Sequence, residues 1–437
     1  MTIRGSVISR QFPGPRMTWS VAILLAICTT LLNGAIEQKF DQLQVFDQYN
    51  VLFDADPNIR LEGFANGWGD SYTIHPNLVN FLNPPIRVVA RLSALAGAAP
   101  SSEIAARRAL ALWIAPMASG AKALVLFATL RFLGLGLFAV SSLVVLHGAS
   151  FTQLILGSVP DHDILNGLTI ALATLASIAL VQDSRLRVCT WLAISVAGIG
   201  ITVTNGIAIG LLLWTALLAT GERIVRSTVA TAAIISGATV ITLAIAIPMD
   251  KLYGVTLSSA VNAGKTSAFV TKYFRDDILQ GYLTFPTAVI SGIAPPAPSL
   301  VENVLGVKEH SHYSIQFSLE PAADQSPSFS WLGLTLLAAT IIGAVRLARG
   351  GVSQRVALAG ALTVILFNWA LHGIWGTESF LYSQQWHVPV LVLIGGLAIG
   401  THVRVGEVAL AVITIVVVVL NTALLQDMFV ALAAAHH

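Results

Sequence analysis

Long apolar runs separated by short basic links are the feature of this sequence that most constrains its fold. A helix needs about 17 to 25 residues, mostly apolar, to cross a bilayer. Eleven segments reach or approach that length, near residues 17–35, 108–130, 133–150, 161–181, 187–204, 205–220, 227–248, 329–348, 354–373, 380–400 and 406–426. Charged residues make up only 11% of the chain, against roughly 25% in a soluble domain. The sequence therefore predicts an all-α polytopic membrane protein, residues 1–437 forming a single membrane domain with about 11 transmembrane helices.

Arginines in the short links predict the orientation of these helices. Lys and Arg collect in short cytoplasmic links, and alternate links carry Arg131, Arg185, Arg187, Arg223, Arg226, Arg346, Arg349, Arg355 and Arg404. The links between them, near residues 150–159, 204–206 and 372–378, contain no Lys or Arg. The basic N-terminus precedes a span with no clear cleavage site, so we expect an uncleaved anchor with its N-terminus in the cytoplasm. The C-terminus is then expected outside.

Two long polar regions are expected on the outer side, at residues 36–107 and 250–328. The first includes an ambiguous apolar segment, residues 75–97, which contains Pro84, Pro85, Arg87 and Arg91. A full span there would move every later arginine link to the outside. The two prolines and two arginines of this segment fit a juxtamembrane or re-entrant helix better than a lipid-facing one. We therefore expect juxtamembrane helices in the first outer region and a second large outer loop.

Composition and repeats exclude several kinds of function. The formal net charge is only +2 and the pI about 8.6, and nucleic-acid binding needs clustered basic residues. The two cysteines lie in apolar runs and form no disulfide or metal pattern. Many transporters consist of two halves with a matching sequence pattern. No such internal repeat is evident in this sequence. The polar residues of the first outer region are therefore the main clue to function.

Acids in the stretch NVLFDADPNIR are candidates for acid–base chemistry. Asp54 and Asp56 occupy alternate positions, so their side chains point to opposite sides if the backbone is extended. A partly desolvated carboxylate at a membrane surface is suited to take a proton from an acceptor hydroxyl. The competing interpretation is that these acids, and Asp70 after them, are solvated or cap helices.

Histidine and acid motifs at later positions are further candidates for the same outer face. SYTIHPNL contains Tyr72 and His75, and an imidazole can hydrogen-bond a phosphate, assist a carboxylate or bind a metal. GSVPDHDILNG places Asp161 at the outer start of a predicted span, where an acid also stabilises the helix dipole. The alternative for each is a structural role, as a hydrogen-bonding histidine and a helix cap.

Two more outer segments supply candidates for substrate binding. HGIWGTESFLYSQQWH contains His372, Tyr382 and His387 between two spans, although Trp and Tyr are also usual at membrane interfaces. The second outer loop carries Lys265, whose ammonium could bind a phosphate. NAGKTS around this lysine lacks the first glycine of a P-loop.

The order of these motifs resembles the C-type (GT-C) integral-membrane glycosyltransferases. Their shared pattern is one span, a long outer loop with an early acid and a His-Pro pair, then many spans. NVLFDADPNIR, SYTIHPNL, GSVPDHD and FLYSQQW are more narrowly similar to a bacterial group of uncharacterised members. Asn77 replaces that group's leucine after His-Pro, and Asp-His-Asp follows GSVP where a Glu-Ser-like continuation is usual.

This resemblance implies a GT-C-like fold and an inverting glycosyltransferase. The expected donor is a polyprenyl-phosphate-linked sugar, and the acceptor is a glycan, lipid or protein on the outer face of the bacterial cytoplasmic membrane. Asp56 matches the family's loop acid and would be the general base, with His75 shaping the site. No nucleotide sugar is expected. Some relatives use Mg²⁺ or Mn²⁺ and others do not, and no complete set of oxygen ligands stands out.

The remaining candidates are partners for the donor phosphate and the sugars. Arg60, Arg87 and Lys265 are expected near the phosphate, and Asp54, Tyr72 and Asp161 near the substrates. The alternatives are a lipid or solute transporter, for which Lys122 is the main ionisable residue inside a span, and an inactive assembly subunit.

Overall fold

The computed structural model describes the chain as a bundle of helices with a small two-stranded sheet. The described residues are 15–48, 50–67, 75–95, 102–252, 274–296, 298–302, 313, 315–319, 330–376 and 379–436. Within them the helices are α1 (Pro15–Gln42), α2 (Pro57–Asn66), α3 (Leu78–Leu95), α4 (Glu103–Leu112), α5 (Ile114–Phe132), α6 (Leu137–Ala149), α7 (Phe151–Leu156), α8 (Asp163–Asp183), α9 (Val188–Ile201), α10 (Asn205–Ala219), α11 (Ile224–Leu252), α12 (Ile278–Ser291), α13 (Trp331–Ala348), α14 (Val352–His372), α15 (Gln384–Gly395) and α16 (Val403–His436). Strands β1 (Ser299–Glu302) and β2 (Ile315–Ser318) pair antiparallel.

Seven stretches of helix in the described parts of the chain are long and apolar enough to cross a membrane. They are Thr18–Gln42, Glu103–Phe132, Asp163–Asp183, Ile224–Ile247, Trp331–Ala348, Val352–His372 and Val403–Ala435. Each of the eleven predicted segments falls on a helix. α6, α9, α10 and α15 are shorter than a spanning helix, however, so the count of eleven stays a prediction.

Close helix packing in the bundle depends on small residues. A Cβ added to Gly343 of α13 would lie 1.9 Å from the carbonyl oxygen of Leu393 in α15. A Cβ added to Gly396, which follows α15, would lie 2.1 Å from the carbonyl oxygen of Gly343. Helices in lipid associate through such close backbone contacts because burial of apolar surface provides no driving force between them. The two glycines therefore fix the crossing of α13 and α15.

Four of the five arginine links are joined to one another by hydrogen bonds at one end of the bundle. Gln182, near the end of α8, donates from Nε2 to the carbonyl oxygen of Phe132 at the end of α5. Gln354 at the start of α14 donates to Leu133, and Arg346 at the end of α13 donates to Leu397 after α15. These bonds join four links that the sequence assigns to one side of the membrane. Which side that is remains a prediction.

The two predicted outer regions contain helices and the sheet. α2, α3 and α4 follow α1, and α12 with the β-hairpin lies between α11 and α13. Asn83 of α3 donates to the carbonyl oxygens of Phe64 and Ala65 in α2, at 2.9 and 3.1 Å. These bonds hold α3 against α2. The first of these regions therefore contains α2, α3 and the start of α4, and the described residues of the second contain α12 and the β-hairpin. Their position on the outer side stays a prediction.

Candidate functional site

The stretch before α2 is held in an unusual backbone conformation by β2. Asn50, Phe53 and Asp54 have φ of 56°, 55° and 61°. Non-glycine residues there cost on the order of 1–3 kcal/mol each unless surrounding contacts fix them. Phe53 N–H donates to Phe317 O at 3.0 Å, and Phe317 N–H donates to Val51 O at 3.0 Å. β2 thus pairs with residues 51–53 and holds the backbone that leads to Asp56.

Side chains of this stretch also anchor it to the bundle. The Phe53 ring is fully buried, with its centroid 4.6 Å from that of Phe380 and 5.8 Å from that of Phe151. Gln316 of β2 donates from Nε2 to Asp54 Oδ1 at 2.5 Å. The hairpin therefore binds the Asp54 carboxylate. The next acid, Asp56, is the last residue before α2.

Asp56 is the half-buried residue that immediately precedes α2. Its side chain makes no capping hydrogen bond to that helix, so the helix-cap interpretation is wrong for Asp56. Burial, together with the charge of the neighbouring Asp161, raises its pKa to about 6, while Arg60 opposes the shift. Arg60 lies one turn along α2, on the same face. A carboxylate with this pKa is ionised at neutral pH and remains basic enough to accept a proton.

Asp161 joins the loop before α8 to α2. It is 2% exposed, and its Oδ1 lies 3.3 Å from Arg60 Nε and 2.5 Å from His162 Nδ1. Burial alone would raise the pKa of Asp161, but the charges and hydrogen bonds of His162 and Arg60 hold it below its usual range. The same oxygen accepts the His162 backbone N–H at 2.6 Å, while α8 itself begins at Asp163. Asp161 therefore serves mainly as an ion-pair partner.

His75 lies against His162 and is fixed by the end of α9. The two ring centroids are 4.0 Å apart. His75 Nδ1 lies 2.6 Å from the carbonyl oxygen of Ile201 and 3.1 Å from Thr202 Oγ1. Because a carbonyl only accepts, Nδ1 carries the proton in the neutral ring and leaves Nε2 as the acceptor. Burial lowers the pKa of His75 well below its usual value, with help from His162.

Asn77, which follows the His-Pro pair, has a structural role. It is fully buried. Its backbone N–H donates to Gly200 O at 2.8 Å, and its Nδ2 donates to Thr242 O at 2.8 Å. A leucine could not make the second bond. Asn77 thus attaches the His75 segment to α9 and α11.

These contacts define an acid cluster at one end of the bundle. Its members are Asp56, Arg60, His75, Asp161, His162 and Asp163. They come from α2, the segment before α3 and the start of α8, so residues about 100 positions apart in the chain converge. The motif PDHD also contains His162 and Asp163, but the sequence predicts a site role only for Asp161.

The start of α8 also offers a donor set for a divalent cation. One ligand atom from each of Asp161, His162 and Asp163 lies within 4.8 Å of the others. Asp163 is fully buried, and neither carboxylate oxygen has a hydrogen-bond partner of ordinary geometry among the described residues. His162 Nε2 lies 3.7 Å from Asp163 Oδ1, and the two acids raise the His162 pKa against the effect of burial. Two carboxylates and an imidazole fit Mn²⁺ better than Mg²⁺, which prefers oxygen ligands.

The other predicted substrate-binding residues lie in different places. Arg87 donates from Nη2 to Asn66 O at 2.5 Å and so joins α3 to α2. His372 and Tyr382 stack, with ring centroids 4.1 Å apart. Arg275 donates from Nε to the His372 carbonyl at 3.2 Å. Tyr72 and Lys265, with Asp70, lie outside the described residues.

His387 belongs to a second polar group, inside the bundle. We call Lys122, His147, Gln384 and His387 the lysine cluster; all four are at most 2% exposed. Lys122 donates to Gln384 Oε1, and the His147 and His387 rings lie 4.9 Å apart. Among the described residues, no ion pair involves Lys122. Position along the sequence gave no sign that Lys122 and His387 would meet.

Comparisons with known proteins give a distant likeness to solved structures. No protein-family model matches the chain, and no curated protein matches it either. Among solved structures, the archaeal oligosaccharyltransferase AglB from Archaeoglobus fulgidus, in complex with an inhibitory peptide and a dolichol-phosphate, aligns with a TM-score of 0.44 at 14% identity. The alignment covers 96% of this chain and 56% of that one. At this distance no residue role is transferred.

Proposed function

We propose that this chain is an inverting, GT-C-type glycosyltransferase that uses a polyprenyl-phosphate-linked sugar. The observation that carries the proposal is the convergence of Asp56, Arg60, His75 and Asp161, with the pKa of Asp56 raised to about 6. The resemblance of the loop motifs to GT-C enzymes supports the same reading. An isolated structural ion pair would not require a third acid with a raised pKa beside it.

In the proposed reaction, Asp56 is the general base. The acceptor hydroxyl oxygen attacks the anomeric carbon of the sugar while its proton passes to the Asp56 carboxylate. The bond from the anomeric carbon to the phosphate oxygen breaks, and polyprenyl phosphate leaves with that electron pair. One displacement inverts the anomeric configuration. General-base catalysis of this kind contributes about 10²–10⁴-fold.

The neighbouring residues have distinct parts in this proposal. Arg60 and Asp161 hold each other and set the charge around Asp56. His75, neutral and protonated on Nδ1, offers Nε2 as a hydrogen-bond acceptor for a substrate hydroxyl. Asp54 would act through its bond to Gln316, which keeps the loop in place.

A divalent cation, if the enzyme uses one, would be held by Asp161, His162 and Asp163. Such an ion supplies positive charge that stabilises a departing phosphate. The metal requirement is open to direct measurement, since chelation removes the ion without altering the protein.

The arginine pattern supports a site on the outer face of a bacterial cytoplasmic membrane. α8 begins in the acid cluster and ends 21 residues later beside Arg185 and Arg187, which is about 30 Å of helix. That length equals the thickness of a bilayer core. With the arginine end in the cytoplasm, the donor reaches the acid cluster from the outer leaflet, and a glycan, lipid or protein acceptor reaches it from outside.

Donor consumption by purified protein tests this function. The full chain in lipid nanodiscs is given a panel of polyprenyl-phosphate-linked hexoses and pentoses, and the released polyprenyl phosphate is measured by mass spectrometry. Wild-type protein is expected to release it from at least one donor, and Asp56→Asn protein at least 100-fold more slowly. Asp183→Asn, at the far end of α8, is the matched control and should retain full activity. Equal rates for wild type and Asp56→Asn would contradict the proposal.

A further inference from the structure

A groove lies at the arginine end of the bundle, far from the acid cluster. It has a volume of about 460 Å³ and lies between α8 and α9, beside the end of α5. Its inner wall is apolar, formed by Phe132, Leu172, Leu175, Ala176, Leu180 and Trp191 among others. Along α8 the wall runs from Leu172 to Gln182, which is about 15 Å. The groove therefore has the length and polarity for a stretch of acyl chain.

The mouth of the groove differs from its wall in charge. Gln182, Asp183, Arg185, Arg187 and Thr190 line it. Arg187 pairs with Asp183 at 3.1 Å. Arg185 is exposed and takes part in none of the ion pairs found among the described residues. One acid thus faces two guanidinium groups, and the mouth carries a net positive charge.

We propose that this groove binds an anionic glycerophospholipid of the surrounding bilayer. One acyl chain would lie along the wall between Leu172 and Ile194, and the phosphate would meet Arg185 and Arg187. Both recognition elements are on the same surface: an apolar slot that opens to lipid, and cations at the level of the head groups. The site is independent of the proposed glycosyl transfer, because it involves none of the acid-cluster residues.

Charge at the mouth is tested with two matched double variants. Arg185→Gln with Arg187→Gln removes the groove's cations. Arg223→Gln with Arg226→Gln removes two link arginines elsewhere, and Arg226 pairs with Glu222 at 3.2 Å just as Arg187 pairs with Asp183. Detergent-purified protein is titrated with phosphatidylglycerol or phosphatidylcholine, and bound lipid is counted by native mass spectrometry. Each arginine near a membrane surface is worth about fivefold in binding an anionic lipid.

The first double variant should therefore bind phosphatidylglycerol about thirtyfold more weakly, since two such factors multiply. The second should bind it like wild type, and phosphatidylcholine binding should not separate the variants. Equal loss in both double variants, or no loss in either, would overturn the proposal.

A second pair of variants tests the slot itself. Ala176→Phe fills the groove and leaves both arginines in place, whereas Ala193→Phe adds the same ring to an exposed position of α9 that does not line it. Only Ala176→Phe should release phosphatidylglycerol. Wild-type lipid binding by Ala176→Phe, or displacement of phosphatidylglycerol by stoichiometric polyprenyl phosphate, would show that the groove is not an anionic glycerophospholipid site.

Discussion

The acid cluster and the lysine cluster are both buried polar groups, but they are built differently. The acid cluster combines charges of both signs and draws its residues from loops and helix starts. The lysine cluster lies within helices and their connections, and Lys122 there contacts an amide oxygen and pairs with no acid among the residues that the structure describes. Gln384 donates from Nε2 to Thr152 O at 2.8 Å, and His387 Nε2 lies 2.8 Å from Ser150 Oγ.

This difference indicates that the acid cluster is suited to chemistry, whereas the lysine cluster is a fixed part of the core. Charges on loops can meet substrates, and burial, together with the charge of Asp161, raises the pKa of Asp56 to about 6. A Cβ added to Gly167 of α8 would lie 2.9 Å from Lys122 Nζ, so the lysine is tightly enclosed. A transporter needs a polar path through the membrane, and a lysine held this closely does not provide one.

Asp161→Ala is expected to have the largest effect. It leaves Arg60 and His162, both 12% exposed at the side chain, without their shared carboxylate. Breaking a buried pair by removing one partner costs about 3–5 kcal/mol. Equilibrium unfolding in detergent measures the loss. Asp183→Ala, which breaks an exposed pair, should cost less than about 1 kcal/mol; similar losses for both variants would remove the distinction.

The pH dependence of donor turnover should follow Asp56. Its ordinary pKa of 3.8 is raised to about 6 in the folded protein, so the base is protonated and turnover falls about tenfold per pH unit below pH 6. Ionised Asp56 also reduces folded-state stability at neutral pH, at most by about 3 kcal/mol, and this cost disappears as the pH falls below 6. Asp56→Asn should therefore be at least as stable as wild type at pH 7.5. A turnover profile that is flat from pH 5 to 7 would argue against Asp56 as the base.

Gln316→Leu should have an intermediate effect, through the loop. It removes the 2.5 Å bond to Asp54, and hydrogen bonds to charged groups are worth about 1.5–3 kcal/mol. We expect amide hydrogen exchange at residues 50–56 to accelerate about tenfold or more. Ser299→Ala removes a bond within the hairpin, from Ser299 Oγ to Ser318 O at 3.1 Å, and should leave that exchange unchanged. If both variants exchange like wild type, β2 does not hold the loop.

Lys122→Met should have the smallest effect. Methionine has a similar shape and removes the need to bury an amine, so stability should change by less than about 1 kcal/mol. Among the described residues, Gln384 Oε1 loses its lysine donor, while Nε2 of that residue keeps its bond to Thr152 O. Thermal unfolding in detergent checks this. A loss as large as that of Asp161→Ala would mean that Lys122 carries a charge with a partner beyond the described residues.

Much of the fold followed from the sequence because bilayer thickness sets helix length. Each predicted segment falls on a helix, and four of the five links in which arginine was noted are joined by hydrogen bonds. The lengths of the short helices α9 and α10 do not show by themselves whether each helix crosses the bilayer.

The site was less predictable because its geometry depends on contacts distant in sequence. The motifs displayed Asp56, His75 and Asp161, but local spacing could not show that Arg60 bridges α2 to Asp161. Nothing in the sequence marked Gln316 as a site residue, because its contact with Asp54 depends on the pairing of β2 with residues 51–53. His387 is predicted as a substrate-binding residue because it lies near His372 and Tyr382 in the sequence, at the outer end of two spans. The structure places it beside Lys122.

The most direct test of the central claim is a side-by-side measurement of donor turnover by wild type, Asp56→Asn and Lys122→Met in the same nanodiscs. If the acid cluster performs the chemistry, Asp56→Asn releases polyprenyl phosphate at least 100-fold more slowly, and Lys122→Met stays within about threefold of wild type, which corresponds to less than 1 kcal/mol. Wild-type turnover by Asp56→Asn, with turnover abolished in a folded Lys122→Met protein, would contradict the account.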